Sequence, residues 1–100
     1  MATVSKALVR QAAAVTSTTL YTVPASTTTI VTNIVVTNTV TGDATFTLLL
    51  DDVSIATTVT VGGFDTTVID LKQVLAQNKT IKGLASATTV NFHISGVEIV

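Results

Sequence analysis

The side chains best suited to chemistry in this sequence are a single histidine and a pair of adjacent aspartates. His93 is the only histidine, and Asp51 and Asp52 are the only neighbouring carboxylates. A catalytic histidine needs a nucleophile and an orienting carboxylate beside it, and the sequence has no nucleophile motif such as G-x-S-x-G. We therefore expect His93 to face solvent or an interface, without taking part in a reaction.

The two aspartates raise the question of a calcium site. Asp51 and Asp52 could bind calcium together with Asp65 or Asp70 if the fold brought these carboxylates to one place. Adjacent residues of a strand point to opposite faces, so the pair alone is a poor chelator. Because aspartate also favours turns, we interpret the pair as a solvated turn and expect no metal site.

The composition excludes several further classes of function. The chain has no cysteine, and it contains no phosphate-binding loop, zinc-ligand spacing or paired-carboxylate motif. We therefore expect no cofactor and no enzymatic activity. The net charge is −1, which gives no electrostatic reason to expect nucleic acid or a membrane surface as a partner. No apolar run approaches the about 20 residues of a membrane-spanning helix.

The elements that must position these residues are strands. Threonine and valine make up 38 of the 100 residues, and both are β-branched residues that favour strands. Short alternating segments separated by turn residues predict strands at residues 2–9, 18–23, 28–38, 44–50, 53–61, 67–71, 80–85, 88–94 and 97–100. Residues 72–79 are the only stretch whose composition fits a helical turn, and Gly96 is predicted to allow a kink or bulge.

This pattern predicts an all-β fold with a single domain over residues 1–100. About eight short strands are typical of an antiparallel two-sheet sandwich, of either jelly-roll or Ig-like type. The clearest local feature is a hairpin of residues 44–50 and 53–61, with Phe46, Leu48 and Leu50 facing inward. The alternation also predicts a common face for Val53, Ile55, Val59 and Val61, and inward positions for Val90, Phe92 and Ile94. The order of the strands within the sheets does not follow from the pattern.

Residues 1–10 could form an N-terminal arm that contacts a partner. Lys6, Leu8 and Arg10 alternate onto one face of an extended segment, with Val9 on the other. The two cations would then meet carboxylates of a partner. The alternative is an ordinary edge strand whose charges oppose aggregation.

Two further features indicate a protein whose surface is covered by other protein molecules. Tyr21, the only tyrosine, is suited to anchor an interface, or it closes one end of the sandwich with its hydroxyl in water. Residues 11–42 carry no charged side chain, and charged residues make up only 11% of the chain, against about 25% in typical soluble domains. We expect a homo-oligomer.

The segment TTLYTVPASTTTIVTNIVVTN at residues 18–38 resembles a recurrent family of small tailed-bacteriophage virion proteins. The shared elements are LYTVPA at 20–25, a Ser/Thr-rich bend at 26–29, IVTNIVVTN at 30–38 and a short strand after a glycine at 96–100. The resemblance implies a β-sandwich that stabilises a phage head from outside as a capsid cement (decoration) protein, often a homotrimer. It further implies the major capsid protein as a partner, a location on the capsid exterior and synthesis in the host bacterial cytoplasm. It brings no catalytic residues with it.

Two alternatives remain open at this point. A phage tail or neck component would share the same architecture and the same weakly charged surface. A glycan- or receptor-binding β-sandwich module ranks lower, because such modules usually stack sugars on tryptophan or tyrosine, and this chain has no tryptophan and one tyrosine.

Overall fold

The computed structural model describes residues 2–100, which form eight β-strands and no helix. The strands are β1 Thr3–Ala12, β2 Thr18–Thr22, β3 Thr28–Asn38, β4 Ala44–Leu50, β5 Val53–Val61, β6 Thr66–Leu75, β7 Thr80–Ala85 and β8 Val90–Ile99. The predicted all-β class and the number of strands are confirmed.

The strands form two antiparallel sheets of four. Sheet A has the order β1-β8-β3-β6 and sheet B has the order β2-β7-β4-β5. The pairs β1–β8, β2–β7, β3–β6 and β4–β5 are nested, as if one long hairpin had wrapped around itself. This nesting is the jelly-roll arrangement with its two Greek keys, whereas an Ig-like sandwich divides seven strands unequally between its sheets.

The core lies between the two sheets and is apolar at its centre. Phe46 from sheet B and Phe92 from sheet A meet edge to face, with ring centroids 6.3 Å apart and an interplanar angle of 72°, a favourable aromatic geometry. The other large side chains that are completely buried there are Ile34, Leu48, Ile81 and Ile94. The predicted inward positions of Phe46, Leu48 and Leu50 are therefore confirmed.

Bulges in sheet A converge on Gly96. β8 is continuous across this residue, so residues 88–94 and 97–100, predicted as two strands, belong to one. The extra residues lie instead in the neighbouring strands, between Ala7 and Val9 and between Val31 and Asn33. A Cβ atom on Gly96 would lie 2.3 Å from the carbonyl oxygen of Ile30, so only glycine allows this close approach.

The region from β4 to β7 contains a tight turn and a strand that is longer than predicted. Asp51 and Asp52 form the two-residue turn of the β4–β5 hairpin with φ of 54° and 61°, which is the type I′ geometry that fits strand twist. β6 continues to Leu75, so the predicted helical turn over residues 72–79 is wrong. Pairing with β3 overrides the helix-forming composition of that stretch, because it satisfies the backbone groups that face β3 as far as Leu75.

The N-terminal segment belongs to sheet A in this structure. β1 pairs with β8 along its length, and Ala2 exchanges two backbone hydrogen bonds of 2.9 Å with Val100. Residues 3–10 therefore lie in an edge strand, and contact of this strand with a partner stays a prediction. Met1 lies outside the described residues.

Candidate functional site

The three predicted contact residues of β1 do not share one face. Lys6 lies opposite Gly96, on the side of sheet A that faces sheet B, whereas Arg10 lies opposite His93 on the outer side. The bulge at Leu8 causes this difference, because one extra residue reverses the facing of everything beyond it. Leu8 itself is buried in the core cluster. The predicted single face of Lys6, Leu8 and Arg10 is wrong.

Tyr21 and Lys6 meet at a carboxylate that the sequence analysis did not single out. Glu98 lies on the inner side of β8 and is 7% exposed. The Tyr21 hydroxyl donates to its Oε2 at 2.5 Å, and Lys6 Nζ lies 3.3 Å from Oε1. Thr29 Oγ1 lies 2.8 Å from the Tyr21 hydroxyl. Because the one phenolic proton goes to the carboxylate, Thr29 donates to the tyrosine oxygen.

These four residues, the Glu98 cluster, connect the two sheets. Tyr21 comes from β2 of sheet B, while the other three come from β1, β3 and β8 of sheet A. The hydroxyl of Tyr21 is thus not in water, which corrects one of the two interpretations of this residue. Its role as an interface anchor remains a prediction.

The pKa values of the cluster follow from its hydrogen bonds. The Tyr21 hydroxyl, and after it Lys6, lower the pKa of Glu98, although burial acts in the opposite direction. Burial and the neighbouring carboxylate raise the pKa of Tyr21 to about 12. Both shifts favour a charged Glu98 and a neutral Tyr21. The arrangement is a satisfied structural contact between the sheets.

A signal for Glu98 was present in the sequence. Val90, Phe92 and Ile94 alternate inward along β8, and the same alternation carried through Gly96 places Glu98 on the inner side. The prediction of a kink or bulge at Gly96 ended this alternation at Ile94. Thr29 could not have been found in this way, because the bulge after Val31 changes which residues of β3 face inward.

A shallow depression on the outer side of sheet A surrounds Arg10. Its volume is about 240 Å³, and it is lined by Arg10, Gln11, Ala12, Asn91 and His93. No carboxylate lines it, so His93 has an arginine opposite it rather than an orienting acid. This site is suited to receive an anionic side chain, and it lacks the partners of a catalytic histidine.

The adjacent aspartates are held by lysines. Asp51 lies 3.5 Å from Lys79 Nζ, and Asp52 lies 2.6 Å from Lys82 Nζ. Asp65 follows the far end of β5, a separation of about 30 Å along an extended strand. Within residues 2–100, no three His, Cys, Asp or Glu side chains lie close enough together to hold a metal ion.

Exposed apolar side chains are concentrated on one side of the sandwich. β5 and β6 are the edge strands of the two sheets on that side, joined by a short loop. Five of the nine large apolar side chains that are exposed lie there, and these are Val53, Ile55, Phe64, Val68 and Val74. Two unprotected edges that carry exposed valine are typical of a surface that other protein covers.

No protein-family model and no curated protein sequence matches this chain. None of the residues from 2 to 100 forms a helix with the length and hydropathy needed to cross a membrane. Any functional conclusion must therefore come from the surface described above and from the resemblance at residues 18–38.

Proposed function

We propose that this chain is a non-enzymatic virion structural protein, a decoration subunit that stabilises a phage head by binding its outer surface. The observation that carries the proposal is the surface of the jelly roll, which is weakly charged and has apolar residues along exposed strands. In a free monomer such a surface promotes aggregation. Further copies and a capsid shell would cover it.

The outer face of sheet A is the best candidate for contact with the shell. Ile30, Val35, Val97 and Ile99 lie on this face and are only half buried. The molecule measures 45 × 21 × 18 Å, so a broad face is large enough for the about 800 Å² per partner of a stable interface. Hydroxyl and small apolar side chains suit a flat, neutral partner surface, and many copies on one shell add avidity.

The resemblance at residues 18–38 supports a phage particle as the partner. The matching segment includes all of β2 and β3, strands that belong to different sheets. The likeness therefore extends to both layers of the sandwich.

Co-sedimentation with particles tests the proposal. The purified protein is mixed separately with empty heads and with isolated tails of the phage that encodes it, and bound protein is measured after pelleting. We expect binding to heads, and a higher temperature for their thermal disruption. Val97→Lys should weaken the binding, whereas Thr60→Lys, which adds the same charge on the outer face of sheet B, should preserve it.

The outcomes separate the alternatives. Binding to tails but not to heads would replace the decoration role with a tail or neck role. Failure to bind either particle would contradict a virion function. Equal loss with both lysine variants would contradict the assignment of sheet A as the contact face.

A further inference from the structure

Most charged side chains of the described residues form ion pairs within the chain, and those that do not indicate where a partner could bind. Three ion pairs join Lys6 with Glu98, Lys79 with Asp51 and Lys82 with Asp52. Among residues 2–100, the charged side chains without such a partner are Arg10, Asp43, Asp65, Asp70 and Lys72. Three of these lie on the two opposite edge strands of sheet A, Arg10 on β1 and Asp70 and Lys72 on β6, and Arg10 and Asp70 carry opposite charges.

The register of sheet A places both residues on its outer face. One cross-strand row runs from Arg10 through His93 and Val35 to Val68. The adjacent row begins at Ala7 and ends at Asp70 by the same pairings. A cation therefore lies at one edge of the sheet and an anion at the other, one row apart.

The two edges are also compatible in direction. Every neighbouring pair in sheet A is antiparallel, so β1 and β6 run antiparallel to each other. A second copy placed beside the first would bring its β1 next to β6 in the same antiparallel sense. Each edge strand is 10 residues long, and its outward backbone N–H and C=O groups can pair with another chain.

We propose that the β1 edge of one copy pairs with the β6 edge of a second copy, so that sheet A continues from copy to copy with Arg10 against Asp70. If the rows continue in register, Arg10 lies beside Val68 of the neighbouring copy and diagonal to Asp70. Diagonal neighbours are about 7–8 Å apart at the backbone, within reach of an arginine side chain. A shift in the register of the two strands that moved Arg10 towards Lys72 would be unfavourable, because like charges repel.

The chain offers no equivalent pairing elsewhere. The edges of sheet B, β2 and β5, carry no charged residue, so they have no complementary charges to set a register. On β6, Val68 and Val74 are 58% and 68% exposed, and the contact would cover them. A two-fold contact of two β1 edges would bring together strands that carry only the cations Lys6 and Arg10 and no carboxylate, so it has no complementary charges. The contact needs only a second copy, so it extends the proposed function without depending on a shell.

Charge exchange tests the contact in solution without any phage particle. Self-association is measured by sedimentation velocity over a range of protein concentrations for Arg10→Asp, Asp70→Arg and the double variant. We expect the unmodified protein to associate, each single variant to associate at least about tenfold more weakly, and the double variant to recover. Asp43→Arg, an exposed change outside both edge strands, should behave as the unmodified protein.

Cysteine cross-linking tests the same contact by geometry, because the chain has no cysteine of its own. In the proposed register Ser5 of one copy lies beside Val74 of the next, at a cross-strand distance close to that of a disulfide. Mixing Ser5→Cys with Val74→Cys should give a cross-linked dimer under mild oxidation. Ser5→Cys alone, or mixed with Thr60→Cys, should not.

A protein that stays monomeric at all concentrations would overturn the proposal. So would single charge variants that associate normally, or a double variant that fails to recover. If a charge variant does not fold, the cross-link alone decides. Normal self-association without binding to heads would contradict the proposed function and leave this contact standing.

Discussion

The space between the two sheets has two regions that are buried for different reasons. At the centre, Phe46 and Phe92 are almost completely buried among aliphatic side chains. In the Glu98 cluster, a carboxylate is nearly as deeply buried, but it contacts a tyrosine hydroxyl and a lysine. The aromatic pair gains from leaving water whatever its exact neighbours, whereas the carboxylate can be buried only with its partners in place.

The comparison shows which part of the sandwich depends on precise register. Removing the Tyr21 hydroxyl leaves the buried Glu98 carboxylate without its shortest hydrogen bond, and such a loss costs more than the pair itself contributes. The four members come from four strands, so the cluster forms only when those strands are correctly aligned. The apolar centre tolerates small shifts and supplies most of the burial energy.

The largest expected effect is at the apolar centre. Phe92→Ala removes a fully buried ring that contacts the opposite sheet and should lower the free energy of unfolding by about 3–5 kcal/mol. Denaturant unfolding followed by circular dichroism measures the change. Phe64, which is 70% exposed, provides the control, and Phe64→Ala should stay within about 0.5 kcal/mol. Equal effects of the two variants would contradict the assignment of the core.

The next effect is expected where the bulges converge. Gly96→Ala would place a Cβ atom 2.3 Å from the Ile30 carbonyl oxygen, and a backbone atom cannot move aside without shifting the strand. We expect a loss of about 1–3 kcal/mol in the free energy of unfolding, together with a displacement of Glu98 two residues later. Gly62→Ala is the control, because its nearest contact would be an ordinary 3.6 Å. A neutral Gly96→Ala would show that β3 and β8 are not held this closely.

The apolar centre could be predicted from sequence because alternation alone specifies it. The inward positions of Val90, Phe92 and Ile94 followed from a period of two residues, and the structure confirms them. The same rule failed on β5, where Val53 and Ile55 were expected to share a face with Val61 but are exposed. Two register shifts against β4 turn Ile55 out of the alternation, and Val53 is exposed because it is the first residue of an edge strand, next to the turn. A bulge depends on the partner strand, so the pattern of one strand does not reveal it.

The Glu98 cluster could be predicted only in part. The inward position of Glu98 follows from the alternation of β8 only when that alternation is carried through Gly96, which the sequence analysis did not do. Its partners do not follow from it, because they lie 77 and 92 positions away along the chain. Bringing Tyr21 and Lys6 to Glu98 requires the strand order of both sheets. That order is set by how the nested hairpins wrap, a property of the whole fold.

Removal of one hydroxyl tests the cluster directly. Tyr21→Phe leaves the buried Glu98 carboxylate without its shortest hydrogen bond and should reduce the free energy of unfolding by about 1–2 kcal/mol at neutral pH. The pKa of Glu98 is lowered in the folded protein, with Tyr21 as the largest cause. Its contribution to stability is therefore present above the ordinary value of 4.5 and is lost as the pH falls through the lowered pKa.

The acid dependence gives this variant a distinctive signature. Denaturant unfolding of both proteins from neutral pH downwards should show a stability difference that is largest above pH 4.5 and shrinks below it. Contributions of the other carboxylates cancel in the difference between the two proteins. A difference that is constant with pH would mean that Tyr21 acts through packing and does not stabilise the charged form.

Alkaline titration tests the Tyr21 hydroxyl through its own ionisation. The pKa of Tyr21 is raised from 10.0 to about 12, so folding favours the protonated phenol. Its contribution is fully present below pH 10 and is lost as the pH rises towards about 12. Because Tyr21 is the only tyrosine and the chain has no tryptophan, tyrosinate absorbance reports this one group. An ordinary titration near pH 10 in the folded protein would contradict the hydrogen bond to Glu98.

The smallest effect is expected from the lysine of the cluster. The Lys6 side chain is 48% exposed and lies 3.3 Å from Glu98, so solvent weakens the ion pair, and Lys6→Met should cost less than about 1 kcal/mol. Methionine keeps the apolar stem, and added salt should reduce the difference further. Lys82→Met, which removes the ion pair with Asp52, is a matched control with a similar or smaller effect. If Lys6→Met instead cost more than Tyr21→Phe, the ammonium would be the main partner of the buried carboxylate. Burial of Glu98 would then depend on β1 staying in the sheet, and detachment of that edge strand would expose the charge between the sheets.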